Sequence, residues 1–481
     1  MPDFPPAQLA RWTGGRWTDR PVSPLAGFTH DTRVLRPGEI FVALKTGQRD
    51  GHDFLAAAQS AGAGAALVAR AEAACALPQL VVADPLVAFQ AIAREHRRSF
   101  SGPVIGVTGS CGKTSTKNLL ALLLGDRPAE APAKAGRRAG VLCTEGNLNN
   151  HLGVPLTLTR LDPAEHAFAV IEAGVGGPNE MGPLAAMIAP EVALITTVAP
   201  AHLGAFGTLE AVAREKAALA AAVRPGGTAV FAKDCIQFVA FRNLLADQLV
   251  LERSSVLRPA TLPTHTVHFN TVQRPAETII VIAHGPPPPM MFKLRRVTDG
   301  MAQNAALALT VALRLGVAPE RLQARLAAWE PAPLRGEIRR EGGRLLYLDC
   351  YNANPASMTD ALATFAAVAP AAEPRLYVLG CMEELGADSA ALHRRLGRTL
   401  RLREGDSLFV VGDQAEEVCA GVADQGAGAE QAFAVGSAEA VAEAFARWRG
   451  AIFLKGSRRH RLETLLAAGP VPAELAATAA R

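Results

Sequence analysis

The sequence has no CxxC pair, no apolar run approaching the ~20 residues of a membrane span, and no dense basic stretch. Each absence excludes a class. The seven cysteines are scattered from Cys75 to Cys419 without pattern, which points to reduced thiols in a cytosolic protein rather than a disulfide framework. The opening stretch, MPDFPPAQLARW, lacks a basic segment followed by an apolar one and does not read as a secretory signal. A formal net charge of +4 is small for 481 residues, and no basic run marks a surface that would track a nucleic-acid backbone. A cytoplasmic protein with no membrane span and no nucleic-acid partner is expected. What is present fits that class: 49% hydrophobic and 20% charged residues in a chain too long for one core, hence two to four domains.

The most informative stretch is Val104–Ser115, VIGVTGSCGKTS. A β-branched run, a glycine turn and an apolar helix pattern through Leu119, Leu120, Leu122 and Leu123 together make a phosphate cradle. Gly109, Ser110, Cys111, Gly112 and Ser115 bring backbone amides toward phosphate oxygens, Lys113 adds charge, and the Thr114 hydroxyl suits Mg²⁺. Val107 stands at the first glycine position of the strict GxxxxGK[ST] spacing. A glycine turn beside a solvated lysine would explain neither the strand before nor the helix after.

Residues 1–100 contain no phosphate motif and alternate short strands with an Ala-rich helix at Phe54–Ser60, a small α/β unit. Within it, Asp31, Thr32, Arg33, Asp50, Gly51 and His52 either line a polar site or cap two ordinary turns. Residues 101–330 form the nucleotide unit. Its segment 125–140 reads as an exposed loop, and Asn147, Asn149 and Asn150 either bind substrate or build an Asx-rich turn. Two further buried strands, Ala167–Glu172 and Val192–Val198, end beside Glu172 and His202. Ligands of an open parallel sheet sit outside strand C-termini, so this pair favours metal ligation over a structural role. For Lys216, in the helix Leu209–Val223, the residues alone favour a solvated surface lysine. Residues 250–298 read as irregular strands with a proline turn at Pro286–Pro289, and Pro319 through Pro333 as an interdomain hinge. Residues 331–481 alternate strands and helices, a doubly wound α/β domain without its own glycine fingerprint.

Taken in order, DTR…PGEIFVAL…DGHDF, TGSCGKTS, EGNLNNHLGVPLTL, IEAG, AHLGAFG, DCYNANPASM and LKGSRRHRLE resemble the Mur ligase family, from about Thr29 to Glu463. DCYNANPASM is similar to the run typical of the branch that adds D-alanyl-D-alanine to UDP-N-acetylmuramoyl-tripeptide in peptidoglycan synthesis. The resemblance implies three domains: an N-terminal UDP-substrate domain, a central P-loop ATPase-like parallel sheet and a C-terminal Rossmann-like domain. It implies an ATP-dependent ligase, acting as a monomer, that activates a carboxylate as an acyl phosphate.

Roles follow by resemblance. Lys113 and the loop amides would hold the ATP phosphates, and Thr114 and Glu172 one Mg²⁺. His202 would hold a second Mg²⁺ with Lys216, whose match is a carbamylated lysine; this reverses its surface reading. Asn304 would contact adenine, and Arg335 the γ-phosphate. Asp349, Tyr351, Asn352 and Asn354 would close over the nucleotide. Asp31, Thr32, Arg33, Asp50, Gly51, His52, Asn147, Asn149, Asn150, Lys455, Ser457 and Arg458 would serve the other substrates. Departures from the pattern stand at Gly176 and Gly177, Ala218, Gly300 (a histidine is expected) and Cys381 (an aspartate is expected). The alternatives are another Mur-type or folylpolyglutamate-type ligase, and an ATP-driven conformational switch.

Overall fold

A computed structural model describes residues 2–21, 24–125, 140–256, 266–283, 288–426 and 428–467. The loop expected at 125–140 falls, except for its end glycines, outside the described residues, as do Pro286 and Pro287 of the proline turn.

Among the described residues, three sheets follow one another along the chain. The first has five short strands in the order Arg16–Trp17, Gln79–Val81, Ala65–Val68, Ile40–Val42, Phe28–Thr29, parallel except at the first pair. The helix Pro85–Arg98 leads out of it. Asp84 caps its start by accepting from Leu86 N and Val87 N. Phe89 and Ile92 pack on the first sheet, while Ala93 joins the core of the next unit. At its end the buried Arg97 donates to Ile188 O, Ala189 O and the Glu191 carboxylate, riveting the two units.

The central sheet has nine strands. Its middle is parallel: Gly140–Cys143, His166–Glu172, Val104–Thr108, Val192–Ile195, Thr228–Ala232, Asp247–Arg253 and Thr266–Gln273 lie side by side in that order. Side chains alternate between faces, as a sheet covered on both sides requires. Val104, Ile171 and Ile195 meet the helices Met181–Ile188 and Leu209–Ala221 on one face. Ile105, Val107 and Leu194 meet Lys113–Leu124 and Asp299–Arg314 on the other.

Two expectations for this unit need correction. The described strands in the second half of 250–298 are not irregular: Thr266–Gln273, Glu277–Ala283 and Met290–Arg295 make a regular antiparallel extension of the same sheet. Their alternation, as in Ile280 and Ile282 inside and Met291 outside, is that of a half-covered ladder. Pro319 does not mark a hinge either. It occupies the first turn of the helix Pro319–Ala327, where a missing amide hydrogen costs nothing, and Leu322, Leu326 and Trp329 are buried in the central core.

The third sheet runs Glu337–Glu341, Arg344–Asp349, Ala451–Lys455, Arg375–Gly380, Ser407–Val411, Ala432–Val435, with only the first pair antiparallel. The last of these strands in the chain, Ala451–Lys455, is inserted between two earlier ones, so Asp349, Gly380 and Lys455 end together at a crevice of the kind that binds ligands. No helix among the described residues is long and apolar enough to cross a membrane.

Candidate active site

The loop after Val104–Thr108 is shaped by what it packs against. At Gly109, with φ 152°, a β-carbon would fall 1.8 Å from Thr196 Oγ1, and at Gly112, with φ 77°, 2.1 Å from Asn304 Nδ2. Neither position admits a side chain. Thr196 Oγ1 donates to Cys111 O at 2.6 Å, fixing the crest of the loop. The first amides of Lys113–Leu124 lie beyond the reach of intrahelical partners and point out of the helix end, which carries partial positive charge. Lys113 Nζ folds over the loop and donates to Gly109 O at 2.8 Å. Burial lowers the affinity of this amine for its proton, and Glu172 works against that shift. Ser110 differs from expectation. Its amide donates to Thr197 O at 2.8 Å, and its hydroxyl donates to Ala199 O and accepts from Ala199 N. The loop uses Ser110 to tie itself to the neighbouring strand end, so neither group is left for a phosphate.

Glu172 ends the adjacent strand and is 1% exposed. Its Oε1 accepts from Thr114 Oγ1 at 3.2 Å and from Asn149 Nδ2 at 2.8 Å, while its amide donates to Thr144 Oγ1 at 3.0 Å. Among the described residues Oε2 has no hydrogen bond, and Lys117 Nζ stands 4.0 Å away. A buried carboxylate oxygen without a donor is costly. Beside a threonine hydroxyl and a phosphate-type loop, it fits a hard divalent cation completed by phosphates and water. Among the described residues no group of three or more His, Cys, Asp or Glu side chains gathers as a self-contained metal cage.

Lys117 and Thr144 were not singled out from the sequence. Lys117 lies one helical turn beyond Lys113, which places both on one face, and a lysine there among apolar neighbours was a readable signal. Thr144 carried none. Of the three asparagines, only Asn149 reaches Glu172. Asn150 accepts from Leu152 N and Gly153 N, an Asx turn, and Asn147 is exposed.

Lys216 is 2% exposed, against the solvated reading of its local sequence. Among the described residues its Nζ has neither a hydrogen-bond nor an ion-pair partner. Burial, reinforced by the nearby Lys113 charge, brings its pKa down to about 7. His202 adopts a left-handed φ of 53° and its Nδ1 bonds Glu384 Oε2, from the third-sheet unit. Glu384 is also left-handed, at 62°, and its carbonyl accepts from Gly204 N at 3.0 Å. No local pattern foretold Glu384.

The third unit reaches the same place. Lys455 Nζ, buried, pairs with Asp349 Oδ2 at 2.6 Å and donates to Asn352 O at 3.2 Å. Burial raises the Asp349 carboxyl, and Lys455 and Arg335 oppose that rise. The Arg335 guanidinium stacks 3.8 Å above the Tyr351 ring, and its charge is felt at Lys113. Asn354 caps the helix Pro355–Val368 by accepting from Ser357 N at 2.9 Å, and its side chain lies beside the Cys111 thiol. Asn352 Oδ1 turns back to Ala353 N. Ser457 Oγ is buried without a partner among the described residues, and Arg458 pairs with Glu463 at 2.8 Å.

The first-sheet residues stand apart from this cluster. Arg33 is 86% exposed and forks onto Asp31, holding that carboxyl down at about 2. Thr32 is half-buried between them. Asp50 accepts from His52 N and His52 Nδ1 and pairs with Arg70, while His52 Nε2 accepts from Ala69 N at 3.1 Å. At Gly51 a β-carbon would meet Leu44 N at 2.5 Å. The polar groups of 50–52 hydrogen-bond one another and the backbone of this turn.

Comparisons with known proteins bear on the fold and the family. The Mur ligase middle domain matches residues 107–273, and the Mur ligase, glutamate ligase domain matches residues 334–458. The UDP-N-acetylmuramoyl-tripeptide–D-alanyl-D-alanine ligase of Escherichia coli K12 is 33% identical over 401 residues, 82% of this chain and 83% of that one. A crystal structure of MurF from Acinetobacter baumannii superposes with a TM-score of 0.82 at 28% identity, covering 97% of this chain and 98% of its own. MurF ligase from Thermotoga maritima in complex with ADP gives 0.74 at 26% identity, over 92% and 97%. The chain belongs to the Mur ligases, in the family of UDP-N-acetylmuramoyl-tripeptide–D-alanyl-D-alanine ligases.

Proposed function

We propose that the protein is an ATP-dependent ligase that joins D-alanyl-D-alanine to UDP-N-acetylmuramoyl-tripeptide. The observation that carries this reading is the meeting of Lys113, Thr114 and Glu172 at the central strand ends with Arg335, Asp349 and Lys455 from the third unit. A phosphate loop facing a second cationic wall suits the transfer of a phosphoryl group to an anionic acceptor.

The terminal carboxylate of the UDP-linked tripeptide attacks the γ-phosphorus of ATP, and the bond to the β-phosphate oxygen breaks to release ADP. The amine of D-alanyl-D-alanine then attacks the acyl carbonyl, the carbon–oxygen bond to phosphate breaks, and the amine proton is lost. Lys113 and the free amides of its helix hold the β- and γ-phosphates, and Arg335, braced on Tyr351, takes the γ-phosphate charge. Asn304 holds the adenine, and Asp349, through Lys455, fixes the 349–354 loop over the nucleotide. Thr114 and Glu172 hold one Mg²⁺, and His202 with a carbamylated Lys216 holds a second; bound there, the ions neutralise phosphate charge. Lys216 suits that modification because its lowered pKa leaves a substantial share of the amine neutral and nucleophilic near pH 7, and the carbamate supplies the oxygen donors that Mg²⁺ prefers.

Residues 1–100 serve as the UDP-substrate domain, 101–330 as the ATP domain and 331–481 as the acceptor-side domain. Because phosphate loop and closing wall come from one polypeptide, one chain is the catalytic unit. The deciding experiment incubates the protein with ATP, UDP-muramoyl-tripeptide and a panel of amines, with products identified by mass spectrometry. D-alanyl-D-alanine-dependent phosphate release with the matching amide is expected; phosphate release indifferent to that dipeptide would sink the assignment.

A further inference from the structure

The helix Asp299–Arg314 belongs to the central unit and Pro355–Val368 to the third. The exposed start of the first is completed from the second. Thr298, its own N-cap, takes the amide of Met301 at 3.1 Å. Asp360 takes the next two: Oδ1 accepts from Asp299 N at 3.0 Å and Oδ2 from Gly300 N at 2.9 Å. A carboxylate is the group a helix N-terminus favours, and bonds to an ionised acceptor are the stronger kind. This cap is supplied in trans, across the boundary between two units.

Gly300, where the family pattern leads one to expect a histidine, is what admits it. A β-carbon at 300 would stand 2.7 Å from Asp360 Oδ2. Gly300 is not among the positive-φ glycines, so the requirement is steric alone. Both bridged helices carry a nucleotide-loop contact near their starts. Asn304 packs on Gly112, and Asn354, the N-cap of the second helix, lies beside the Cys111 thiol. One carboxylate therefore ties together the two walls that enclose the loop.

We infer that Asp360 is a positioning residue for ligation: it clamps the central and third units together by capping the Asn304 helix, and Gly300 is the opening that receives it. This inference rests on the ligase reading above. The clamp acts on the enclosed state and touches neither phosphate nor metal. Its loss admits water to the acyl phosphate; water attacks the carbonyl, the carbon–oxygen bond to phosphate breaks, and free carboxylate and phosphate are wasted.

The test uses the full chain as wild type, Asp360→Ala, Asp360→Asn, Gly300→Ala and the Asp360→Ala/Gly300→Ala double variant. In Asp360→Ala, kcat for ligation should fall by about tenfold or more, as loss of enclosure predicts. Phosphate released per amide formed should rise above its wild-type value, while the Kd of a non-hydrolysable ATP analogue should change by less than about twofold. Asp360→Asn, which keeps one acceptor, should recover part of the coupling. Gly300→Ala should reproduce the Asp360→Ala defect, and the double variant should be no worse than either, because both remove one contact. Wild-type kcat and coupling in Asp360→Ala would overturn the inference. So would simple addition of the two single effects, or a parallel loss of turnover, nucleotide affinity and melting temperature, which marks a fold-only role. Wild-type enzyme that forms no amide would count against the ligase reading instead. The clamp is then read from a fluorophore pair spanning the two units, where an unchanged distance in Asp360→Ala refutes it and a longer one supports it.

Discussion

Thr114 and Glu172 lie 58 positions apart in the chain and meet at 3.2 Å, where neighbouring parallel strands end. The threonine and Asn149 satisfy one carboxylate oxygen and leave the other bare and buried. Glu172→Gln keeps the shape and removes the charge. Phosphate transfer should drop by about a hundredfold or more, the scale of losing one electrostatic partner of a transition state. Stability should fall as well, because the buried Lys117 ammonium 4.0 Å away loses a facing carboxylate. Phosphate release titrated with Mg²⁺, beside a urea melt, checks both halves; full activity would remove Glu172 from the metal site.

Lys216 makes two separable predictions. In CO₂-free buffer its folded value of about 7 lies below the ordinary 10.5. Between these values the unfolded chain carries the proton and the folded one does not, so stability rises with pH across that window, by at most about 1.4 kcal/mol per pH unit. Below pH 7 the burial penalty is fully present. Wild type should therefore gain stability relative to Lys216→Met as the pH goes from 7 to 10, and parallel curves would contradict the burial. Separately, Lys216→Ala should lose ligation and regain some of it with added short carboxylates. Full activity of the plain variant would refute the carbamate.

Asp349 and Lys455 pair at 2.6 Å on adjacent parallel strands, with the lysine almost fully enclosed. Asp349→Ala strands that cation, and breaking a buried pair costs about 3–5 kcal/mol. A lower urea midpoint together with lost ligation is expected. Lost activity at unchanged stability would mean that Asp349 acts on the nucleotide directly rather than through its loop.

The Asp31–Arg33 pair is exposed, and such pairs contribute roughly 0–1 kcal/mol. Arg33→Ala should leave the melting temperature nearly unchanged and raise KM for the UDP-substrate alone. A rise in KM for ATP would show that the first unit serves the nucleotide instead.

Gly112→Ala should abolish ATP binding without unfolding the chain. The added methyl meets Asn304 Nδ2 at 2.1 Å in a left-handed backbone, so the loop crest or the Asn304 helix must give way. Calorimetric titration with ATP reads this directly; an affinity within threefold of wild type would contradict it.

The sequence by itself determined the strand–loop–helix of Val104–Leu124, the buried strand ending at Glu172 and the alternating strands and helices of the third unit. These are short-range properties: β-branched runs, glycine in tight turns and helical apolar spacing are set by neighbours within a few residues. Tertiary structure decided what those properties do not encode. Lys216 is buried because packing overrides a locally polar helix. Ser110 spends its hydroxyl on Ala199, Pro319 opens a helix, and the strands Thr266–Gln273, Glu277–Ala283 and Met290–Arg295 continue the central sheet. Asp360 and Gly300, like His202 and Glu384, meet only because two units distant in the chain face each other. Contacts between such units leave no periodicity in the chain, and so nothing in the sequence announced them.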